Sequence, residues 1–100
     1  MNSKQALVPL FSTHPGELIL DEMKVRKISQ LKMAKEVAVQ PSFLNEVIKG
    51  KRGVHAHLAI ALENALGISA EYWLRLQMQY DLNKARAELK QKNQPSADPN

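Results

Sequence analysis

Ser42, Asn45, Glu46 and Lys49 recur at i, i+3, i+4 and i+7, and Lys51 and Arg52 follow directly. On a helix that spacing gathers the first four on one face. Serine and asparagine can each donate or accept a hydrogen bond at a base edge, and a glutamate can accept from cytosine N4. Lysine and arginine pair with phosphates. The chemistry open to this set is reading DNA bases from a groove while gripping the backbone beside it. Gln40 and Gln30, each at a helix start, are placed for phosphate or base contacts.

Other chemistry is poorly signalled. His55 and His57 are two residues apart at a helix start, so they point about 200° from each other around the axis, and no cysteine or carboxylate cluster joins them. A metal site is not expected. His14 is more simply the residue before a proline that opens a helix. Asp21 and Glu22 are adjacent and splay apart on a helix, and neither a phosphate-cradling glycine loop nor a nucleophile beside a base is present. Catalytic residues are therefore not assigned, and an enzyme is not expected.

The elements that must position the reading face are all helical, because β-branched and aromatic residues never alternate with polar ones over a useful length. A first helix should begin at Pro15, with Glu17, Asp21 and Glu22 toward its positive end and Leu18, Ile19 and Met23 inward. A second should follow Ser29 as N-cap and run through Val37, with Met33, Ala34 and Val37 buried and Lys32, Lys35 and Glu36 outward. The third starts at Pro41, buries Leu44, Val47 and Ile48, and ends at a left-handed Gly50. Between the second and third lies the turn Ala38-Val39-Gln40. Many such turns hold glycine here, and alanine asks for a slightly different backbone.

A fourth helix, roughly His57 to Leu66, buries Leu58, Ala59, Leu62, Ala65 and Leu66 and ends at Gly67. The fifth, capped by Ser69, runs from Ala70 to about Leu89, on the order of 30 Å. It carries one apolar row of Trp73, Leu76 and Tyr80 and another of Leu74, Met78, Leu82, Ala85 and Leu89. One small core seldom needs both over the full length, so the excess points to a partner surface. The plain alternative is a distal half that is an exposed extension.

The chain of 100 residues is 44% hydrophobic and has no cysteine, which suits one domain without disulfides. Residues 1–12 read as a flexible arm, 13–90 as the helical domain and 91–100, with two prolines and nothing apolar larger than alanine, as a disordered tail. No leader or membrane span is signalled, and a cytoplasmic location is expected. Charge is uneven: from Lys24 to Arg52 there are eight basic and two acidic residues within a net charge of +4, leaving the remainder acidic on balance. Such a segment is either a solvated surface or a polyanion footprint.

Two short helices with a tight turn and a basic cluster have the layout of a helix-turn-helix. The segments THPGELILDEM, ISQLKMAKEVAV, VIKGKRGV and ALENALGISAEYWLRLQMQYDL, in this order and spacing, resemble the antitoxins of HigBA toxin–antitoxin systems, in the Xre-like helix-turn-helix family. The resemblance covers Thr13 to about Ala85. The HPGE opening and the WLxLQxxYDL segment (Trp73, Leu74, Leu76, Gln77, Tyr80, Asp81, Leu82) separate it from generic Xre-like phage repressors.

The resemblance implies an all-α, five-helix domain of lambda-repressor-like type with a long C-terminal helix. It implies an antitoxin paired with a HigB toxin, a RelE-like mRNA endonuclease, that represses its own operon as a homodimer on double-stranded operator DNA. Carried over by position, base contacts fall at Gln40, Pro41, Ser42, Asn45 and Glu46. Pro41, without a side-chain donor, and the negative Glu46 depart from the family. They imply a narrow set of base contacts and a larger phosphate share through Gln30, Lys49, Lys51 and Arg52. His55 and His57 stand where a Ser/Thr cap and an acidic residue are common, so weak capping is expected.

Met78, Leu82, Ala85 and Leu89 are the candidate dimer or toxin interface, and no cofactor or small-molecule substrate is implied. A stand-alone Xre-like repressor would differ in lacking a neighbouring RelE-like reading frame. A helical interaction module with no nucleic-acid role would show little salt dependence in DNA binding.

Overall fold

Five helices follow one another through the computed structural model, which describes residues 13–92, and among those residues there is no strand. They are α1 (Pro15–Arg26), α2 (Gln30–Glu36), α3 (Pro41–Ile48), α4 (Ala56–Leu66) and α5 (Ala70–Lys92). The all-α class and the five-helix order match the expectation. α5 continues to Lys92, past its expected end at about Leu89. The expected arm of residues 1–12, and residues 93–100 of the tail expected from residue 91, lie outside the described residues.

Local signals account for the element ends. The Ser29 hydroxyl accepts from the Lys32 backbone N–H at 3.1 Å, and the Ser69 hydroxyl from that of Tyr72 at 3.1 Å, each satisfying a donor that a helix start leaves open. Glu63 adds a second cap on α5 by accepting from the Ala70 N–H at 2.8 Å. His55 precedes α4 without any side-chain cap bond, as expected from its residue type, and α4 begins at Ala56 rather than His57. α3 ends where Gly50 turns left-handed at φ 79° and the Lys51 N–H returns to the Glu46 carbonyl.

The turn after α2 corrects the sequence reading. Alanine does not select a different backbone there: Ala38 adopts the left-handed conformation itself, at φ 59°. Ala38 N–H reaches the Lys35 carbonyl and Val39 N–H the Ala34 carbonyl, the bonding that closes a helix through a left-handed residue. Packing of α2 on α3 decides the geometry, and the alanine Cβ bears the strain, of order 1–2 kcal/mol. Ala38→Gly is therefore expected to stabilise the domain, by about 0.5–1 kcal/mol after the added unfolded-chain entropy is subtracted. A denaturant midpoint shifted upward at unchanged slope would verify it.

α1 and α2 both pack on α3, and α5 packs on α4 and touches α1. Ile19, Met33, Leu44, Val47, Leu62 and Trp73 are the large side chains sealed in the middle, one or more from each helix. Leu18, Ile48 and Ala65, expected inward, are half-buried at the rim of this core. Arg26, counted within the basic segment, serves the fold. Its Nε donates to Glu22 at 3.0 Å and its Nη2 to the Leu66 carbonyl at 2.7 Å, where a cation meets the negative end of α4.

Candidate nucleic-acid interface

The two stripes of α3 separate as their spacing requires. Leu44 and Val47 are buried, whereas Pro41, Ser42 and Lys49 are exposed and Asn45 and Glu46 are half-exposed. Gln40 occupies the N-cap in an extended conformation, φ −66° and ψ 144°, but its side chain makes no cap bond and remains available. Lys51 and Arg52 lie exposed in the loop that follows, and Gln30 is half-exposed at the start of α2. The structure thus gathers the candidate reading residues on α3 and its C-terminal loop, with Gln30 on the preceding helix.

Two of these residues are engaged with each other. Arg52 Nε donates to Glu46 Oε1, and the guanidinium lies 5.0 Å from the centre of the Phe43 ring. The sequence reading gave Glu46 and Arg52 separate roles, a base and a phosphate. Helical periodicity does not reveal the pair, because the chain reverses at Gly50 between them and carries Arg52 back over the face of α3. Among the described residues the only other ion pair is that of Arg26 with Glu22.

Behind α3, the HPGE and WLRLQMQYDL segments meet. The His14 Nδ1 accepts from the Gly16 N–H at 2.9 Å, capping α1, and the ring stands edge-on to Tyr80 with centroids 4.8 Å apart at 83°. Gln77 accepts at Oε1 from the Val54 N–H at 2.7 Å and donates from Nε2 to Asp81 at 2.9 Å. The loop carrying Lys51 and Arg52 is thereby tied to α5. Gly16 lies against the end of α3, where an added Cβ would come within 2.0 Å of the Val47 carbonyl oxygen. Sequence reasoning treated these residues as family markers and missed them as supports, since their partners are distant in the chain.

Burial pushes the His14 imidazole below its ordinary value of 6.5, and the Asp81 and Glu17 carboxylates and backbone hydrogen bonding to Arg52 only partly oppose it. A cap that accepts at Nδ1 needs the neutral ring. The unfolded chain takes up the proton first, so stability is complete above about 6.5 and falls as pH drops through that value toward the lower folded-state one. His14→Asn, which can still accept from Gly16, is expected to flatten this loss. Denaturant midpoints at about pH 8 and about pH 5 for both proteins would read the difference.

On α5, Trp73 is sealed and Leu76 and Tyr80 are half-buried, so this row faces the core. The second row stays in solvent: Met78 is 52% exposed, Leu82 40% and Leu89 57%, with Ala85 also exposed. The exposure includes the first half of the helix, where Leu74 is 36% exposed. A distal extension alone does not account for it.

A short helix pair whose second member offers a polar face, with cations at its end and an apolar brace behind, is the scaffold of a helix-turn-helix DNA-binding protein. The Helix-turn-helix family matches residues 22–73. Virulence-associated protein I of Dichelobacter nodosus is 38% identical over 73 residues, 72% of this chain and 68% of its own length. Among solved structures, the Pseudomonas aeruginosa antitoxin HigA with the higBA promoter is 32% identical with a TM-score of 0.75, over 80% of this chain and 88% of that one. PA4674 of the same organism, in complex with its 18-bp operator DNA, is 30% identical with a TM-score of 0.72, over 84% of this chain and 96% of that one. The chain belongs to the Xre-like helix-turn-helix family, and its structural neighbours include HigA antitoxins.

Proposed function

We propose that this protein is an antitoxin that neutralises a HigB-like toxin, a RelE-like mRNA endonuclease, and that as a homodimer it binds operator DNA and represses its own operon in the cytoplasm. The observation that carries the reading is the pairing of two unpartnered surfaces on one small domain. α3 offers polar and basic groups to a groove, and α5 leaves Met78, Leu82 and Leu89 in solvent. Likeness over most of the chain to HigA, solved with the higBA promoter, supports the first half of it. Ser42 and Asn45, with Gln40, would read bases beside Pro41, and Gln30, Lys49, Lys51 and Arg52 would hold phosphates. Met78, Leu82, Ala85 and Leu89 would form the dimer or toxin contact.

If each protomer engages about four phosphates, log K should fall against log salt with a slope of roughly −7 on the DNA upstream of its own reading frame. A slope near zero would remove the DNA role. Asn45→Ala should lose discrimination at one base pair, by about 1–3 kcal/mol for a bidentate contact. Co-expression with the neighbouring reading frame tests the other half. Restored growth and co-purification are expected, and a missing RelE-like frame would favour a stand-alone repressor.

A further inference from the structure

The Glu46–Arg52 pair carries an inference that rests on the DNA-binding reading and assigns Glu46 a role inside it. The two side chains are 44% and 53% exposed, so their attraction contributes little to holding the fold. Yet the arginine is ordered twice over: its Nε donates to Glu46 and its guanidinium sits over the Phe43 ring. Both restraints come from α3, and both draw the Arg52 charge toward the face that bears Ser42 and Asn45. Nε is committed to the carboxylate, and among the described residues neither Nη1 nor Nη2 of Arg52 has a hydrogen-bond partner, so that terminal edge is open to an outside acceptor. That edge matches two acceptors side by side, and DNA offers such a pair as guanine O6 and N7 or as two oxygens of one phosphate.

We propose that Glu46 is a positioning residue: it holds Arg52 across Phe43 so that the arginine's terminal nitrogens engage a paired acceptor on DNA, and it does not itself read a base. The negative charge in the groove-facing stripe then has a reason. A carboxylate facing DNA alone repels the phosphates, whereas one bonded to Arg52 orients a cation and cancels its own field. Glu46 also reduces the conformational freedom Arg52 must surrender on binding, since a long side chain already held in place has less to lose.

The sign of one substitution separates this from direct readout. Removing a negative charge from a DNA-facing surface should by simple electrostatics tighten binding. Loss of a positioning group should weaken it. Wild type, Glu46→Gln, Arg52→Ala and the double variant would be titrated by fluorescence anisotropy against a duplex covering the segment upstream of this reading frame and a random duplex of equal length. Equal melting temperatures would verify that the variants fold.

Glu46→Gln is expected to weaken the upstream duplex about fivefold in the wild-type background and, in the Arg52→Ala background where the carboxylate stands alone, to tighten it slightly. Two arms identify the acceptor. If it is guanine, the Arg52→Ala loss concentrates at one G·C pair and is reproduced by 7-deazaguanine there. If it is phosphate, the loss is uniform over sequences and the salt slope shrinks by about one per protomer. Tighter binding of Glu46→Gln to both duplexes, or an equal effect of that substitution with and without Arg52, would overturn the proposal. Wild type without salt-dependent DNA binding would instead overturn the DNA reading and the proposal with it.

Discussion

Trp73→Ala is expected to cost about 3–5 kcal/mol of stability, the range for deleting a sealed large aromatic. The ring is fully buried, and its indole N–H donates to the Ile68 carbonyl at 3.0 Å. Truncation therefore leaves both a cavity and a part-buried carbonyl short of a partner. Against a typical total of about 5–15 kcal/mol for a domain, this is a large fraction. Trp73→Phe refills most of the volume and loses the hydrogen bond, so about 1 kcal/mol of cost from that bond is expected there. Denaturant midpoints for the two variants would separate packing from hydrogen bonding. An unchanged midpoint for Trp73→Ala would contradict the burial of the ring.

The same substitution should reach the DNA face. Trp73 lies one turn before Gln77, whose side chain fixes the Val54 N–H at the end of the Lys51–Arg52 loop. Loosening α5 on α4 relaxes that tether, and the cations then meet the phosphates with more freedom to lose.

What could be read in advance follows from how far apart in the chain the partners lie. The Ser29 and Ser69 caps, the left-handed Gly50 and the apolar stripe of α3 are settled within one or two turns, and their residue types announce them. The two rows of α5 are also a local pattern, and one of them proved unburied over its length. Ala38 marks the limit of local reasoning. The turn was legible, but the backbone there is imposed by the helices it joins, against the preference of the residue.

The supports of the site were not legible, for the converse reason. Gln77 with Val54, His14 with Tyr80 and Arg26 with Leu66 are partners only once the fold brings them together. Their types suggested solvated or family-specific roles without saying what they touch. The Glu46–Arg52 pair is nearer in sequence, yet a helix end and a left-handed glycine intervene, so no helical spacing relates them. A position-by-position reading of α3 consequently assigned two independent contacts where the structure has one coupled group.

Gly16→Ala is expected to destabilise the domain by about 3 kcal/mol or more, at the upper end of overpacking effects. In isolation the change should help, since alanine is favoured over glycine in a helix by about 1 kcal/mol. The environment reverses the sign. The new Cβ would stand 2.0 Å from the Val47 carbonyl oxygen, 2.8 Å from Ile48 Cα and 2.9 Å from the Ile48 oxygen. All three are backbone atoms, so no rotamer change gives relief, and α1 must move away from α3. That movement pulls on the His14 cap and on the turn that carries Lys49 to Arg52. Affinity for the upstream duplex should fall along with the midpoint, even though Gly16 is buried and offers DNA no side chain. A midpoint equal to or above that of wild type would show that α1 and α3 do not pack this closely. A lowered midpoint with unchanged DNA affinity would show that the recognition helix is held from elsewhere.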